Sequence, residues 1–162
     1  MTDQSGPVIF ICTANICRSP MAEQLFRHAL NAEDEPYRAI RVASAGVSAA
    51  DGQPASANSL RALQPVGLSL ANHRSRHLTQ TMLDDALAIF CMTETHLDLI
   101  HLQFNRVPER LHLMREFIPG TDEIEIPDPF GGNLRQYESC RDSMVEAIPS
   151  LVSYVRSLGS IS

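Results

Sequence analysis

Val8-Ile9-Phe10-Ile11-Cys12-Thr13-Ala14-Asn15-Ile16-Cys17-Arg18-Ser19-Pro20-Met21 is the stretch that decides the fold. Residues 8–12 are apolar, rich in β-branched and aromatic side chains, and follow Gly6-Pro7, which reads as a first strand buried on both faces. A short polar segment follows. Ser19-Pro20 then offers an N-cap and a proline at the first helical position, so a helix is expected from Pro20, with Met21, Leu25, Ala29 and Leu30 on its apolar face. A buried strand, a tight loop and a helix make the opening β-α unit of a parallel sheet.

The rest of the chain repeats this alternation. Residues 38–43 read as a second strand ending at Ser44-Ala45-Gly46, and residues 55–63 as a helix closed by Pro65 and Gly67. Residues 86–92 form an unbroken apolar run of strand length, after which Thr93 or Thr95 caps a helix reaching Leu102. A fourth strand is expected over residues 110–114. Residues 119–133 carry Pro119-Gly120, Pro127, Pro129 and Gly131-Gly132 and read as a long loop, a feature that often carries function. Residues 134–158 place Met144, Val145, Ile148, Leu151, Val152 and Val155 on one side of a last helix, which Pro149 is expected to kink. No repeat or linker interrupts the pattern. The fold class expected is α/β, three layers with helices on both faces of a parallel sheet and right-handed crossovers. Ligands bind such sheets beyond the carboxyl ends of the strands, which is where Cys12 to Ser19 lie.

Composition narrows the function. A chain of 162 residues, 44% hydrophobic and 20% charged, suits one globular domain over residues 1–162 that needs no disulfide or metal staple. The four cysteines are free to be chemical. No apolar run approaches the ~18 residues of a membrane span, and Met1 to Gly6 lacks the layout of a signal peptide, so no membrane insertion and a cytoplasmic location are expected. A formal charge of −6 repels nucleic acid and anionic membranes, so no nucleic-acid partner is expected and an anionic substrate requires a local site. All 13 basic residues are arginine, which excludes Schiff-base chemistry and the lysine-bearing nucleotide phosphate loop.

That local site is legible after the first strand. A tight loop turns successive N–H groups inward as an anion nest, a helix N-terminus adds partial positive charge, and Arg18 presents a planar fork to two oxyanion oxygens. Thiolates are stabilised in such surroundings, which makes Cys12 a nucleophile and Ser19 its hydrogen-bond donor. Cys91 and Cys140, on a strand and a helix, read as inert small hydrophobes. Zinc binding by Cys12 and Cys17 with histidines is the weaker reading, because no paired C-x2-C is present.

With Cys12, Arg18 and Ser19 in the pattern C-x5-R-S, Asp128-Pro129 near the C-terminus, and Ser44-Ala45-Gly46 and His73 to Leu78 between them, the whole chain resembles the low-molecular-weight protein tyrosine phosphatases. The resemblance implies a flavodoxin-like four-stranded parallel sheet, no metal and no other cofactor. It implies Cys12 as nucleophile, Arg18 as transition-state stabiliser and Asp128 as general acid and base. The phosphate-binding loop would comprise Thr13, Ala14, Asn15, Ile16, Cys17, Arg18 and Ser19, with Ser44 and His73 supporting Asn15. Relatives usually carry glycine where this chain has Ala14. If that position needs a positive φ, alanine there would cost about 1–2 kcal/mol. Asn15 tolerates the left-handed region better.

The expected reaction is hydrolysis of phosphotyrosine through a cysteinyl-phosphate, with Phe130 and Ile16 as the wall and lip for a phenyl ring. Phe130-Gly131 after the Asp-Pro pair resembles bacterial members acting on tyrosine-phosphorylated kinases and polysaccharide-export proteins. Relatives directed at phosphoarginine tend to carry threonine in place of Ile16. Two other functions compete. A thioredoxin-coupled arsenate reductase shares the fold and loop but needs a further cysteine shortly after Cys91, and Glu94 to Leu102 contains none. A phosphoprotein-binding module without turnover would not need the nucleophile, arginine and acid together.

Overall fold

In a computed structural model that describes residues 6–158, the opening apolar run forms β1 (Val8–Cys12) at the centre of a four-stranded parallel sheet. Its partners are β2 (Val42–Gly46) on one side and β3 (Ala88–Cys91) on the other, with β4 (Leu111–Leu113) beyond β3. Every residue of β1 is buried, as a strand covered by helices on both faces must be. Alternation sends Val8, Phe10 and Cys12 into one apolar layer and Ile9 and Ile11 into the other. The first layer holds Met21 and Phe26 of α1 (Arg18–Asn31), Ala62 and Leu63 of α2 (Ala57–Leu63), and Met144 and Leu151 of α5 (Leu134–Arg156). The second holds Leu83 of α3 (Gln80–Asp85) and Ile100 of α4 (Glu94–Gln103). The expected three-layer α/β fold is therefore present, built in the order β2-β1-β3-β4.

Several boundaries differ from the sequence reading. The second strand starts at Val42, not at 38, because its partner β1 starts at Val8, in register with Val42. Before that point the backbone is committed to a single 3-10 turn, Tyr37–Ala39, with Ile40 N–H donating to Tyr37 O. Helix α1 begins two residues early, at Arg18, and Ser19 is not its cap. Pro20 thus stands third in the helix, where a missing N–H costs nothing. Helix α3, capped by Thr79, went unread because six residues are too few to show a period. Thr93, not Thr95, precedes α4. Residues 119–133 contain no regular element, and α5 runs on through Pro149.

That long loop is nevertheless pinned. Buried Arg115 donates from Nε to Glu123 O at 2.7 Å and from Nη1 to Ser143 O at 2.7 Å, and pairs through Nη2 with Glu146, tying the loop to α5. At the outer edge of the sheet, Arg41 O and Val47 N face β1, so Val42 and Ser44 turn their carbonyls outward. Those two carbonyls accept from Arg27 Nη2 and Arg76 Nε.

Candidate active site

β1 ends at Cys12 and α1 begins at Arg18, so residues 13–17 must reverse between a strand end and a helix N-terminus. The turn is made at Asn15, whose φ of 58° is the only positive value at a non-glycine among the described residues. Ala14 therefore lies outside the left-handed region, and the strain expected from alanine there does not arise. Asparagine adopts this conformation more readily than most residues, and here it is fixed by its side chain as well. Asn15 Nδ2 donates to Ser44 Oγ at 2.9 Å and to Ser19 Oγ at 2.8 Å, while Oδ1 accepts Arg76 N–H at 3.0 Å. His73 Nε2 donates to Asn15 O at 2.7 Å, and Ser44 in turn donates to Glu23 Oε1 at 2.7 Å. Gly46 closes the back of the loop: a Cβ there would stand 2.5 Å from Thr13 O and 3.0 Å from Asn15 N.

No backbone N–H from Thr13 to Arg18 donates to an acceptor among the described residues, the arrangement an anion nest requires. Cys12 Sγ lies 3.0 Å from Ser19 Oγ. Asn15 donates to that hydroxyl, whose own hydrogen has two acceptors in reach, Cys12 Sγ at 3.0 Å and Ala45 O at 3.4 Å, the sulfur being the nearer. Freed from capping, Ser19 is thus turned into the site. Arg18 is 3% exposed; its Nη1 donates to Ile126 O at 2.9 Å and its Nη2 to Thr13 Oγ1 at 3.4 Å. Arg18 Nε is buried without a partner among the described residues. Asp128, half-exposed, brings Oδ2 to 3.7 Å from Arg18 Nη2 and holds Phe130 N–H on Oδ1 at 3.0 Å. Thus Asp128, distant in the chain, is brought against Arg18 at the end of the loop that leads from Cys12 into α1.

The family model described as low molecular weight phosphotyrosine protein phosphatase matches residues 7–159. The chain belongs to that family. This phosphatase is similar to the protein-arginine-phosphatase of Geobacillus stearothermophilus, 36% identical over 89% of this chain and 92% of the relative. It is similar also to the low molecular weight protein-tyrosine-phosphatase PtpB of Staphylococcus epidermidis, 31% identical over 89% and 95%. Among solved structures it superimposes on the YwlE arginine phosphatase, a cysteine-to-serine mutant with a phosphorylated active-site serine, at a TM-score of 0.83. The two are 32% identical, over 96% of this chain and 99% of that one.

The other cysteines of the phosphatase stand apart chemically. Burial pushes the Cys17 thiol up, and it bonds to Tyr137 Oη at 3.3 Å and Ser56 Oγ at 3.5 Å. Tyr137 is itself raised to about 12, chiefly by burial and then by Cys17. Cys91 faces the opposite apolar layer from Cys12, and burial raises its thiol far above the ordinary range. Phe130 is 69% exposed, and Ile16 is half-buried and packed against the first apolar layer. Sequence reasoning missed His96 and Arg115. The spacing Thr93-x-x-His96 is that of a capping box with histidine in the acidic position, which was the available signal for the first.

Proposed function

We propose that the protein hydrolyses phosphotyrosine in proteins through a cysteinyl-phosphate. Cys12 sulfur attacks phosphorus in line and the bond to the phenolic oxygen breaks, while Asp128 gives its proton to the departing phenolate. Water then attacks the phosphocysteine, Asp128 takes its proton, and phosphate leaves with the thiolate restored. Arg18 and the N–H groups of residues 13–18 hold the three equatorial oxygens through a loose transition state. Ser19 donates to the sulfur, and Asn15, supported by Ser44 and His73, keeps the loop open. The chemistry calls for no metal. The observation that carries the reading is the meeting of Asp128 with Arg18, whose Nε is left unpartnered, beside the Cys12–Ser19 pair.

Tyrosine is favoured by the apolar Ile16 at the loop and the exposed ring of Phe130 beside the acid, which suit a phenyl group. A second reading, phosphoarginine, is favoured by the relatives named arginine phosphatases. The substrate protein proposed is a bacterial tyrosine kinase or polysaccharide-export protein, in keeping with the relative from Ralstonia named EpsP. No helix among the described residues is long and apolar enough to cross a membrane, and a cytoplasmic setting, where thiols stay reduced, suits the nucleophile. The test is phosphate release from matched phosphotyrosine, phosphoserine and phosphoarginine peptides by the wild type and by Cys12→Ser. Release from phosphotyrosine alone by the wild type is expected, with Cys12→Ser binding that peptide without turnover. Preference for phosphoarginine would replace the tyrosine reading, and turnover by Cys12→Ser would remove Cys12 as nucleophile.

A further inference from the structure

The third residue of α4, His96, is 2% exposed and has no part in the mechanism above. Its Nδ1 accepts the backbone N–H of Thr93 at 3.1 Å, so the neutral ring carries its proton on Nε2. That nitrogen lies 3.0 Å from Thr13 Oγ1, which makes the ring the donor and the threonine the acceptor. The same oxygen accepts Arg18 Nη2 at 3.4 Å. Both lone pairs of the Thr13 hydroxyl are thereby engaged, one by α4 and one by the guanidinium. Burial, with the Arg18 charge as the next cause, pushes His96 down to about 4, so near neutral pH the ring stays in this single tautomer. The first turn of α4 also reaches the acid loop: Glu94 N–H donates to Glu125 Oε2 at 2.7 Å, and Ile126 N–H to Met92 O at 2.9 Å, just before Asp128.

We propose that His96 is a positioning residue for phosphoryl transfer: its Nε2–H fixes the Thr13 hydroxyl, Thr13 fixes Arg18 Nη2, and the guanidinium is held pre-oriented for the transferring group. The inference rests on the phosphatase reading and adds to it a residue outside the phosphate loop. Arg18 Nη1 is tied to Ile126 O, so the Thr13 bond is the second point that sets the plane of the fork. A plane needs two such points. A fork already oriented loses no ordering free energy as charge spreads onto the equatorial oxygens, so its benefit falls on the transition state more than on ground-state binding.

The experiment compares aryl phosphate kinetics and vanadate affinity in wild type, His96→Asn, His96→Gln, Thr13→Val and the double variant His96→Asn/Thr13→Val. Asparagine sets an amide oxygen where Nδ1 stands and keeps the bond to Thr93 N–H, but does not reach Thr13. Glutamine carries an N–H out to the place of Nε2. The expected result is a fall in kcat of about tenfold for His96→Asn with KM within about twofold, recovery of most of it in His96→Gln, and a double variant no worse than Thr13→Val alone. Equal losses in the Asn and Gln variants, strictly multiplicative losses in the double variant, or an unchanged His96→Asn would overturn the proposal. If His96→Asn does not fold, Thr13→Val, which leaves α4 intact, carries the same tenfold expectation, and an unchanged kcat there overturns it. An inactive wild type defeats the phosphatase reading and this inference together, whereas an active wild type with insensitive variants defeats only the second.

Discussion

The residues of the proposed active site differ in physical task, and substitutions would separate them. Asp128 is half-exposed, and the described residues that hydrogen-bond or ion-pair with its carboxylate are Phe130, through N–H, and Arg18, so its carboxyl bears little of the fold. Asp128→Asn is expected to slow aryl phosphate cleavage by about 10²–10³-fold while inorganic phosphate still binds, as titration with phosphate would register. Ala14 answers a different question. Since the left-handed turn belongs to Asn15, glycine at position 14 relieves nothing and only loosens the unfolded chain, so Ala14→Gly is expected to lower stability by about 0.5–1 kcal/mol, read as a shift in the urea midpoint. Cys12 and Arg18 were legible because a thiol at a strand end, a tight loop, an arginine and a helix start together suit an oxyanion, whereas Asp128 was legible only through the family resemblance. His96 was not, since its partner Thr13 lies 83 positions away and nothing local announces a contact of that range.

The elements show where periodicity suffices and where tertiary context overrides it. The apolar stripes of α1 and α5 and the all-buried run of β1 were readable because each is long enough to repeat. The start of α1 was misread because Ser19, a good cap by type, is recruited by Cys12 and Asn15 instead. The start of β2 is set by where β1 offers a partner, which no local pattern encodes. Helix α4 adds a pH dependence of its own. An unfolded chain protonates His96 near its ordinary value of 6.5, whereas the native ring resists down to about 4. As pH falls below 6.5 the unfolded state takes up the proton first, so stability, level above 6.5 as far as this group is concerned, declines between 6.5 and 4. The loss is bounded at about 3 kcal/mol. Urea midpoints at pH 7 and 4.5 are expected to differ more in wild type than in His96→Asn, which lacks the titrating ring.

Taken whole, the molecule sets Cys91 on the face of the sheet away from Cys12, while Cys17 and Cys140 share the layer of Cys12 and differ from it in burial and partners. Register puts Ile11 beside Cys91, and alternation puts Cys12 and Cys91 in opposite apolar layers; Cys140, on α5, is held up to about 12 mainly by burial. A disulfide relay from Cys12 to Cys91 would have to cross the sheet, which disfavours the reductase function beyond the missing third cysteine. Iodoacetate, an anion suited to the phosphate loop, is expected to alkylate Cys12 in the native protein and to reach Cys91 and Cys140 only after urea, as peptide mass mapping would reveal. The sheet's margin has its own consequence. The edge strand of a parallel sheet, such as β2 here, is a template on which further chains can add, strand upon strand, into fibres. Here the acceptor oxygens at Val42 and Ser44 are already taken by Arg27 and Arg76, and an incoming ribbon would have to displace two guanidinium groups and leave cations against its own backbone. The same arginines therefore blunt the β2 edge against strand addition, and Arg76, through its N–H on Asn15, ties that edge to the loop after β1.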